Sequence, residues 1–296
     1  MTARLLLGTS VALTGVLLTG CSSSDSGDRI TPPAAPATTA SPWASPSPSA
    51  TPRPTPSKTV KPVPSLQGDT RNAIAFAPLD NPRHVTVEGS VGSSPAWSTS
   101  KVLVILAFIK EVGGGDPANL TQEQRDLINV ALSESDMDAL LAIRAQIPGG
   151  SGAPMTAILR SVGDERTTAP DIREGLMEWS IKDQVKFMAS LYAGDVVSPA
   201  ASRYVLKHMT PVDSESWGLG TIGASAFKGG WLEPYTVTRQ MGIVGDYAVA
   251  IITDGVGPSE LQIDDDYAHV KQMNKLARIL KKHLDAEQAA NEGVTN

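Results

Sequence analysis

A long run of residues rich in proline, serine and threonine most limits what this chain can fold into. Residues 22–66 read SSSDSGDRITPPAAPATTASPWASPSPSATPRPTPSKTVKPVPSL. Apolar side chains are too few there to bury a core, and proline removes the backbone donor that helices and sheets need. The sequence therefore predicts a disordered tether, partly in polyproline II conformation, followed by one globular domain at 67–296. About 230 residues are enough for a substantial core.

A segment typical of export precedes the tether. Residues 1–20, MTARLLLGTSVALTGVLLTG, carry one basic residue, a short apolar stretch broken by Gly and Thr, and small residues at the end. This pattern predicts a signal peptide and not a membrane span. The only cysteine, Cys21, follows directly, and LTGC resembles the bacterial lipobox, in which the cysteine is lipidated. We expect a lipoprotein held by Cys21 at the extracytoplasmic face of the cell membrane; the alternative is a stray cysteine in a cleaved leader.

Composition argues against several classes of partner. The formal net charge of −6 disfavours nucleic acid, which needs a basic surface. GLGTIG at 218–223 matches the dinucleotide fingerprint, but it precedes a predicted strand and opens no helix, so a loop is the better interpretation. Asp264–Asp266 lies at the predicted start of the last helix, where carboxylates favour the helix dipole. We expect no cofactor and no metal, because the histidines lack ligand spacing: His84, His208, His269 and His283. With no second cysteine, the chain can form no internal disulfide.

The order of the predicted elements indicates an α+β fold. A hairpin, NAIAFAPL and RHVTVEGS around DNP, comes first, and three strands return late, in SAFKGGWL, YTVTRQMGIVG and DYAVAIITDG. An amphipathic helix, DDYAHVKQMNKLARILKKHLDAE, closes the chain. The helices between are predicted at 95–112, 121–132, 134–147, 153–162, 180–194 and 199–209. We expect an antiparallel sheet whose partner layer includes the last helix.

One serine–lysine pair stands at the front of an apolar run, in PAWSTSKVLVILAFIKEV at 95–112. Ser98 and Lys101 are three residues apart, so on a helix both side chains lie on the same face. The spacing alone is weak evidence, because Ser225 and Lys228 repeat it on a predicted strand. The context of each pair must therefore decide.

The context favours chemistry at the first pair. Ser94 is expected to cap a helix that begins at Pro95, which puts Ser98 in the first turn, where free N–H groups and the helix dipole favour negative charge. Because the following residues are apolar on nearly all sides, the helix should be buried, and burial lowers the pKa of Lys101 so that it can take a proton from serine. The alternative is a lysine that reaches the surface from a core helix.

Three elements resemble those of class A serine β-lactamases and the related penicillin-binding proteins. WSTSKVLV is similar to the S-T-x-K-V-L segment of that group. Ser135-Asp136-Met137 partly matches its S-D-N element, and Lys228-Gly229-Gly230 its K-T-G strand, in the same order. GDERTTAP at 163–170 resembles the segment after the active-site loop of the group. The resemblance spans the whole domain and implies an antiparallel sheet flanked by helices, plus a helical subdomain, with the serine between them.

The resemblance also implies roles for the matched residues. Ser98 would be the nucleophile that forms an acyl-enzyme, and Lys101 would be its base or proton relay. Ser135 would pass a proton to the leaving nitrogen. Lys228 would attract a substrate carboxylate and help to lower the pKa of Lys101.

The end of the third element would complete the site. Gly230 and Trp231 would continue the substrate-binding strand, and the N–H of Trp231, with that of the nucleophile, would form the oxyanion hole. Structural interpretations compete with these roles. Ser135, or Ser133, would serve as a helix cap, Lys228 would protect an edge strand from aggregation, and Trp231 would be core.

Three departures from the family pattern weaken the case for a β-lactamase. Met137 replaces the asparagine of the second element, and Gly229 replaces the threonine of the third. No glutamate stands before GDERTTAP as the deacylation base of class A enzymes does; the nearby acids, Asp164, Glu165 and Glu174, are out of register. We therefore expect any acyl-enzyme to hydrolyse slowly.

Two functions follow from these patterns. The first is a cell-envelope serine hydrolase that acts on an amide by acyl transfer, with a peptidoglycan-derived peptide or a β-lactam as its ligand. The second is a degenerate member of the group that binds wall peptide, antibiotic or a protein partner, and the altered Met137 and Gly229 favour it. A dinucleotide-binding or metal protein is supported only by the motifs set aside above.

Overall fold

An antiparallel sheet forms the centre of the structure, a computed structural model that describes residues 62–256 and 268–294. Seven strands occur in these ranges: β1 (Asn72–Pro78), β2 (Thr86–Gly89), β3 (Ser94–Pro95), β4 (Glu178–Trp179), β5 (Ala226–Trp231), β6 (Thr238–Val244) and β7 (Tyr247–Thr253). Five of them build the central sheet in the order β2-β1-β7-β6-β5, with every neighbouring pair antiparallel. The predicted hairpin and the three late strands are thus confirmed.

Helices cover both faces of this sheet. Those in the described ranges are α1 (Lys101–Glu111), α2 (Gln122–Ser133), α3 (Met137–Arg144), α4 (Gly152–Ser161), α5 (Ile181–Ala193), α6 (Pro199–His208) and α7 (Ala268–Val294). Helix α7 packs on one face, and α5 packs on the other. The α+β class is therefore confirmed. None of the helices in the described ranges is both long and apolar enough to cross a bilayer.

Strand β7 shows why the sheet needs a helical layer on each side. Ala248 and Ala250 face the core that contains α1 and α5, whereas Val249 and Ile251 face α7. Successive side chains of a strand point to opposite faces, so an entirely apolar strand exposes surface unless both faces are covered. The alanines are small, which lets the helices on their side approach closely.

Helix α1 is the core of the helical subdomain. Residues 102–109 have no solvent exposure, as expected for a helix that is apolar on all sides. Helices α2, α3, α4 and α6 pack around it. The cleft between this subdomain and β5 lies in front of the first residues of α1, and it is here that the serine–lysine pair is found.

The helix predicted at 95–112 begins later than expected, at Lys101. Ser94 and Pro95 form β3, which pairs with β4, and a 3₁₀ turn at Trp97–Ser100 precedes α1. The predictions that Ser94 caps the helix and that Ser98 lies in its first α-helical turn are therefore wrong. The local preference for proline at a helix start is overridden by pairing with a distant segment of the chain.

Arg239 on β6 keeps this segment extended. Its guanidinium group is fully buried and donates hydrogen bonds to the carbonyl oxygens of Ser94 at 2.8 Å and Pro95 at 3.1 Å. It also donates to Gln184 Oε1 at 2.6 Å, and Gln184 Nε2 in turn donates to Thr99 Oγ1 at 2.9 Å. A buried polar chain thus ties the serine-bearing turn to β6 and α5.

Other boundaries differ less from the expectations. The helix predicted at 134–147 is shorter, because Asp136 caps α3 and the preceding residue lies in a turn. The GLGTIG segment forms a 3₁₀ turn at Gly218–Ile222 ahead of β5 and opens no α-helix, which confirms its interpretation as a loop. Residues 1–61, with Cys21, and the acidic run Asp264–Asp266 lie outside the described residues.

Candidate active site

Ser98 lies in the 3₁₀ turn that leads into α1. It is partly exposed, whereas Trp97, Thr99 and Ser100 in the same turn are buried. Ser100 Oγ donates a hydrogen bond to the Trp97 carbonyl oxygen at 2.7 Å. The turn is thus fixed from within, and Ser98 is its one partly exposed residue, although Ser100 also lines the cleft.

Lys101 is buried directly behind this serine. Its side chain is 1% exposed, and Nζ makes no hydrogen bond within the part of the chain that the structure describes. Burial lowers the pKa of Lys101 to about 8, although the carboxylates of Glu174 and Asp136 oppose the shift. A lysine that loses its proton this readily can serve as a base near neutral pH. The alternative of a lysine that reaches the surface is wrong.

A direct hydrogen bond joins two more predicted residues. Lys228 Nζ donates to Ser135 Oγ at 2.8 Å and to the Gly229 carbonyl oxygen at 3.1 Å. Burial, with repulsion from Lys101, lowers the pKa of Lys228 to about 7. Ser135 is not a helix cap, since Asp136 caps α3. Lys228 is 3% exposed and so cannot act as a solvated charge that protects a strand edge.

Strand β5 passes against the serine-bearing turn. A Cβ atom at Gly230 would lie 2.8 Å from the backbone nitrogen of Ser98 and 3.0 Å from the oxygen of Ala96, so only glycine permits this approach. Trp231 follows and is partly exposed, so it is not plain core. The backbone of β5 thus runs beside Ser98, as the predicted oxyanion hole requires.

Unusual backbone conformations are concentrated here. Four non-glycine residues in the described ranges have positive φ: Trp97 (46°), Ser135 (59°), Arg173 (56°) and Val197 (63°). Trp97 directly precedes Ser98, Ser135 binds Lys228, and Arg173 directly precedes Glu174, a cavity residue described below. Such conformations cost free energy and are typical of functional sites.

A cavity of about 560 Å³ opens over the pair. Ser98, Lys101 and Trp231 line it, together with side chains from α3, from the loop at 172–176 and from the loop after β5. Its volume lies within the range of small-molecule sites, about 300–1,000 Å³. The cavity therefore gives a small ligand access to the hydroxyl of Ser98.

Glu174 also lines this cavity, although the sequence pattern placed it out of register. It begins a 3₁₀ turn, Glu174–Leu176, and its buried Oε2 lies 2.6 Å from Arg144 Nη1. The cavity-lining loop follows GDERTTAP and does not precede it. The signal that could have revealed Glu174 is the apolar context EGLMEW, which is unusual around a solvated acid.

The structure brings the predicted site residues of the domain together. Ser98, Lys101 and Trp231 line the cavity, and Gly230 approaches the backbone of Ser98. Ser135 and Lys228 form a hydrogen-bonded pair, and the charge of Lys101 helps to lower the pKa of Lys228. Cys21 lies outside the described residues. Within those residues, no three His, Cys, Asp or Glu side chains are grouped to hold a metal ion.

The fold that carries this site is similar to those of solved class A β-lactamases and of PBP-A. PBP-A is similar at a TM-score of 0.57 and 18% sequence identity, covering 75% of this chain and 92% of PBP-A. A PBP-A mutant, described as an acyl-enzyme complex with penicillin G, is similar at a TM-score of 0.56 and 19% identity, over 74% and 92% of the two chains.

Solved class A β-lactamases are similar in fold to the same degree. A variant of the last common ancestor of the class A enzymes of Gram-negative bacteria has a TM-score of 0.57 and 16% identity, over 75% of this chain and 94% of that one. The chromosome-encoded enzyme of Vibrio parahaemolyticus, as a mutant, has a TM-score of 0.54 and 15% identity, over 72% and 94%. At these identities the likeness is one of fold. The sequence matches no protein-family model and no curated protein sequence.

Proposed function

We propose that the chain is a cell-envelope serine hydrolase that cleaves an amide by acyl transfer to Ser98. Its partners are the membrane, through a lipid on Cys21, and a peptidoglycan-derived peptide or β-lactam as ligand. No nucleic acid, metal or cofactor takes part in the proposed reaction. The export-type leader supports a place in the cell envelope, and the acidic net charge disfavours nucleic acid as a partner.

Each predicted residue has one step in the reaction. Lys101 takes the proton of Ser98 as Oγ attacks the carbonyl carbon, and the N–H groups of Ser98 and Trp231 stabilise the negative charge on the oxygen. The carbon–nitrogen bond then breaks, and Ser135 passes the proton to the leaving nitrogen. Lys228 orients the substrate through a carboxylate. Water finally hydrolyses the acyl–Ser98 ester and releases the acid.

The observation that carries the proposal is the state of Lys101. A buried ammonium with no hydrogen-bond partner among the described residues is costly unless it can give up its proton, and its pKa of about 8 allows this. Packing alone does not explain why this lysine lies behind Ser98, which carries the one exposed hydroxyl of the turn. Lysine and serine are therefore suited to act as base and nucleophile.

Slow deacylation follows from the wall of the cavity. Glu174 is the acid that faces Lys101, but the guanidinium group of Arg144 holds its carboxylate at 2.6 Å. A carboxylate oxygen that already accepts a hydrogen bond from a guanidinium group is less available to bind and orient a water molecule. Met137 and Gly229 further remove polar groups that would orient a β-lactam. We therefore propose an inefficient β-lactamase and favour a D-alanyl peptide or another wall-derived substrate.

A second function is favoured by the same two substitutions. With Met137 and Gly229 in place of amide and hydroxyl, the site keeps a cavity but offers fewer orienting contacts. A binding module for wall peptide, antibiotic or a protein partner would need the cavity and no turnover.

A covalent label separates the two functions. The chain is incubated with a fluorescent penicillin and its intact mass is measured. The hydrolase predicts an adduct of one penicillin that is lost in Ser98→Ala, whereas Ser225→Ala, in the second serine–lysine motif, retains it. Absence of any adduct between pH 6 and pH 9, with a correctly folded chain, would favour the binding module. The lifetime of the adduct then measures deacylation.

A further inference from the structure

Exposed apolar side chains surround the mouth of the cavity at Ser98. Ten large apolar side chains are exposed among the described residues, and six of them line this one cavity, with exposed fractions from 40% to 64%. Scattered exposed apolar residues are normal, but a cluster around a cavity marks a binding surface. We call this cluster the apolar rim; it consists of Met137, Leu141, Ile172, Leu176, Leu232 and Tyr235.

The apolar rim is built from three separate elements. Met137 and Leu141 are one helical turn apart on α3 and so share a face. Ile172 and Leu176 come from the loop that follows α4, and the other two come from the loop after β5. The ring of Tyr235 lies 4.7 Å from that of Trp97, the residue before the nucleophile. The rim is therefore continuous with the reactive centre.

Two charged side chains of the cavity wall pair with each other. Arg144 and Glu174 bind each other at 2.6 Å. Lys228 on β5 binds Ser135 at 2.8 Å. A ligand thus meets an apolar mouth and a polar floor. Two cations of the cavity make no ion pair among the described residues: the exposed guanidinium group of Arg173 at the mouth and the buried amine of Lys101. Burying the rim is favourable for an apolar group and offers little to a charged one.

We propose that the substrate is an N-acyl amino acid whose apolar acyl chain covers the apolar rim. The chain is attached to the carbonyl that Ser98 attacks, and the carboxylate of the amino acid reaches Lys228. Ser98 Oγ bonds to the carbonyl carbon, the carbon–nitrogen bond breaks, and the proton of Ser98 ends on the departing amine. Water then releases the carboxylic acid. This substrate class rests on the proposed function, which supplies the reaction.

Chain length provides the test. The protein used is the chain from residue 21 onward carrying Cys21→Ser, so that no attached lipid competes for the rim, together with Ser98→Ala, so that ligand binds without reacting. Binding of N-acetyl-, N-butanoyl-, N-hexanoyl- and N-octanoylglycine is measured by calorimetry below their micelle concentrations. We expect the dissociation constant to fall about fourfold for each methylene that reaches the rim.

Matched substitutions identify the rim as the binding surface. Ile172→Ser should weaken binding of N-octanoylglycine about tenfold and leave N-acetylglycine unchanged. Tyr192→Ser and Val212→Ser remove exposed apolar side chains that do not line the cavity, and they should change neither. Equal affinity along the series, or equal losses in the control variants, overturns the proposal. So does chain-length dependence that is found only with phospholipid vesicles, since the rim would then be a membrane contact.

The two proposals fail in different ways. If the series binds as expected but the chain with an intact Ser98 neither releases glycine nor forms an acyl adduct, the hydrolase is wrong and the apolar ligand class stands. If a penicillin adduct forms at Ser98 but chain length has no effect, the hydrolase stands and the N-acyl substrate is wrong.

Discussion

Lys228 Nζ lies 2.8 Å from Ser135 Oγ, although the two residues are 93 positions apart in the sequence. The bond joins strand β5 to the turn between α2 and α3, and so it connects the sheet to the helical subdomain across the cleft. The left-handed conformation of Ser135 turns its hydroxyl toward the lysine. We therefore expect loss of this hydrogen bond to change activity more than it changes the free energy of unfolding.

Removing the ammonium group of Lys228 should affect anionic substrates selectively. We expect Lys228→Met to lower the rate of acylation by penicillin, which carries a carboxylate, about 100-fold, since a buried charge pair with a ligand is worth a few kcal/mol. An uncharged ester should lose much less. The rates are measured by stopped-flow fluorescence and by ester hydrolysis. Equal losses for the two substrates would mean that Lys228 acts on the fold and not on the carboxylate.

The pH dependence of acylation should follow the two lysines. Lys101, with a pKa lowered to about 8, must lose its proton to act as a base, so acylation by an uncharged ester should rise as pH increases through about 8. Lys228, with a pKa of about 7, must keep its proton to bind a carboxylate, so an anionic substrate should show a bell-shaped profile instead. The two limits belong to the coupled pair. A flat profile for the ester between pH 6 and pH 9 would exclude Lys101 as the base.

Two neighbouring glycines should respond differently to the same substitution. Gly230→Ala puts a Cβ atom 2.8 Å from the Ser98 nitrogen, so β5 must move away from the turn, and we expect acylation to fall at least about 100-fold. At Gly229 the added atom would meet the side chain of Trp231 at 3.4 Å, an ordinary contact, and Gly229→Ala should retain most activity. Similar rates in the two variants would show that β5 does not help to form the site.

Arg144 should control how long the acyl-enzyme lasts. Its guanidinium group occupies the Glu174 carboxylate, and Arg144→Gln frees that carboxylate to hold a water molecule near the acyl ester. We expect deacylation to become about tenfold faster, and Glu174→Gln added to Arg144→Gln should restore the slow rate. Lifetimes are read from the decay of the penicillin adduct. Thermal melting of each variant is the control, because breaking a buried ion pair costs stability.

Arg239 should stabilise the fold and position the nucleophile together. Arg239→Met removes the guanidinium hydrogen bonds to the carbonyl oxygens of Ser94, Pro95 and Trp179, and we expect the free energy of unfolding to fall by about 3–5 kcal/mol. Gln184→Leu removes the link to Thr99 and the bonds from Arg239 to Gln184, but it leaves Arg239 bound to the three carbonyl oxygens, so it should slow acylation with a smaller loss of stability. Denaturant titration and the acylation rate together distinguish the two effects. A Gln184→Leu variant with unchanged acylation would show that the link does not position Ser98.

The elements were predictable from the sequence where local signals and tertiary packing agree. Helix α2 was expected at 121–132 and is found at Gln122–Ser133, because Thr121 and Gln124 form a reciprocal cap that is visible in the sequence. Helix α1 was misplaced at its start because Arg239 and β4, which hold Ser94 and Pro95 extended, lie far away in the chain. No local pattern encodes such a contact.

The candidate site was predictable to the same extent. Ser98 and Lys101 are recognisable from their spacing of three residues. The buried apolar helix that follows explains why the pKa of Lys101 is lowered. Glu174 was missed because its place in the cavity depends on Arg144, a partner 30 residues earlier that no spacing rule connects to it. The apolar rim was missed for a similar reason, since three elements contribute two residues each and none shows more than an ordinary exposed side chain.

The burial of α1 also determines how activity is lost on heating. Since its residues from 102 to 109 have no contact with solvent, their amide protons can exchange only when the surrounding helices and the sheet separate together. Lys101, the proposed base, is therefore attached to the last part of the domain to open. Inactivation and global unfolding should coincide in a single cooperative transition, without a folded but inactive form at lower temperature.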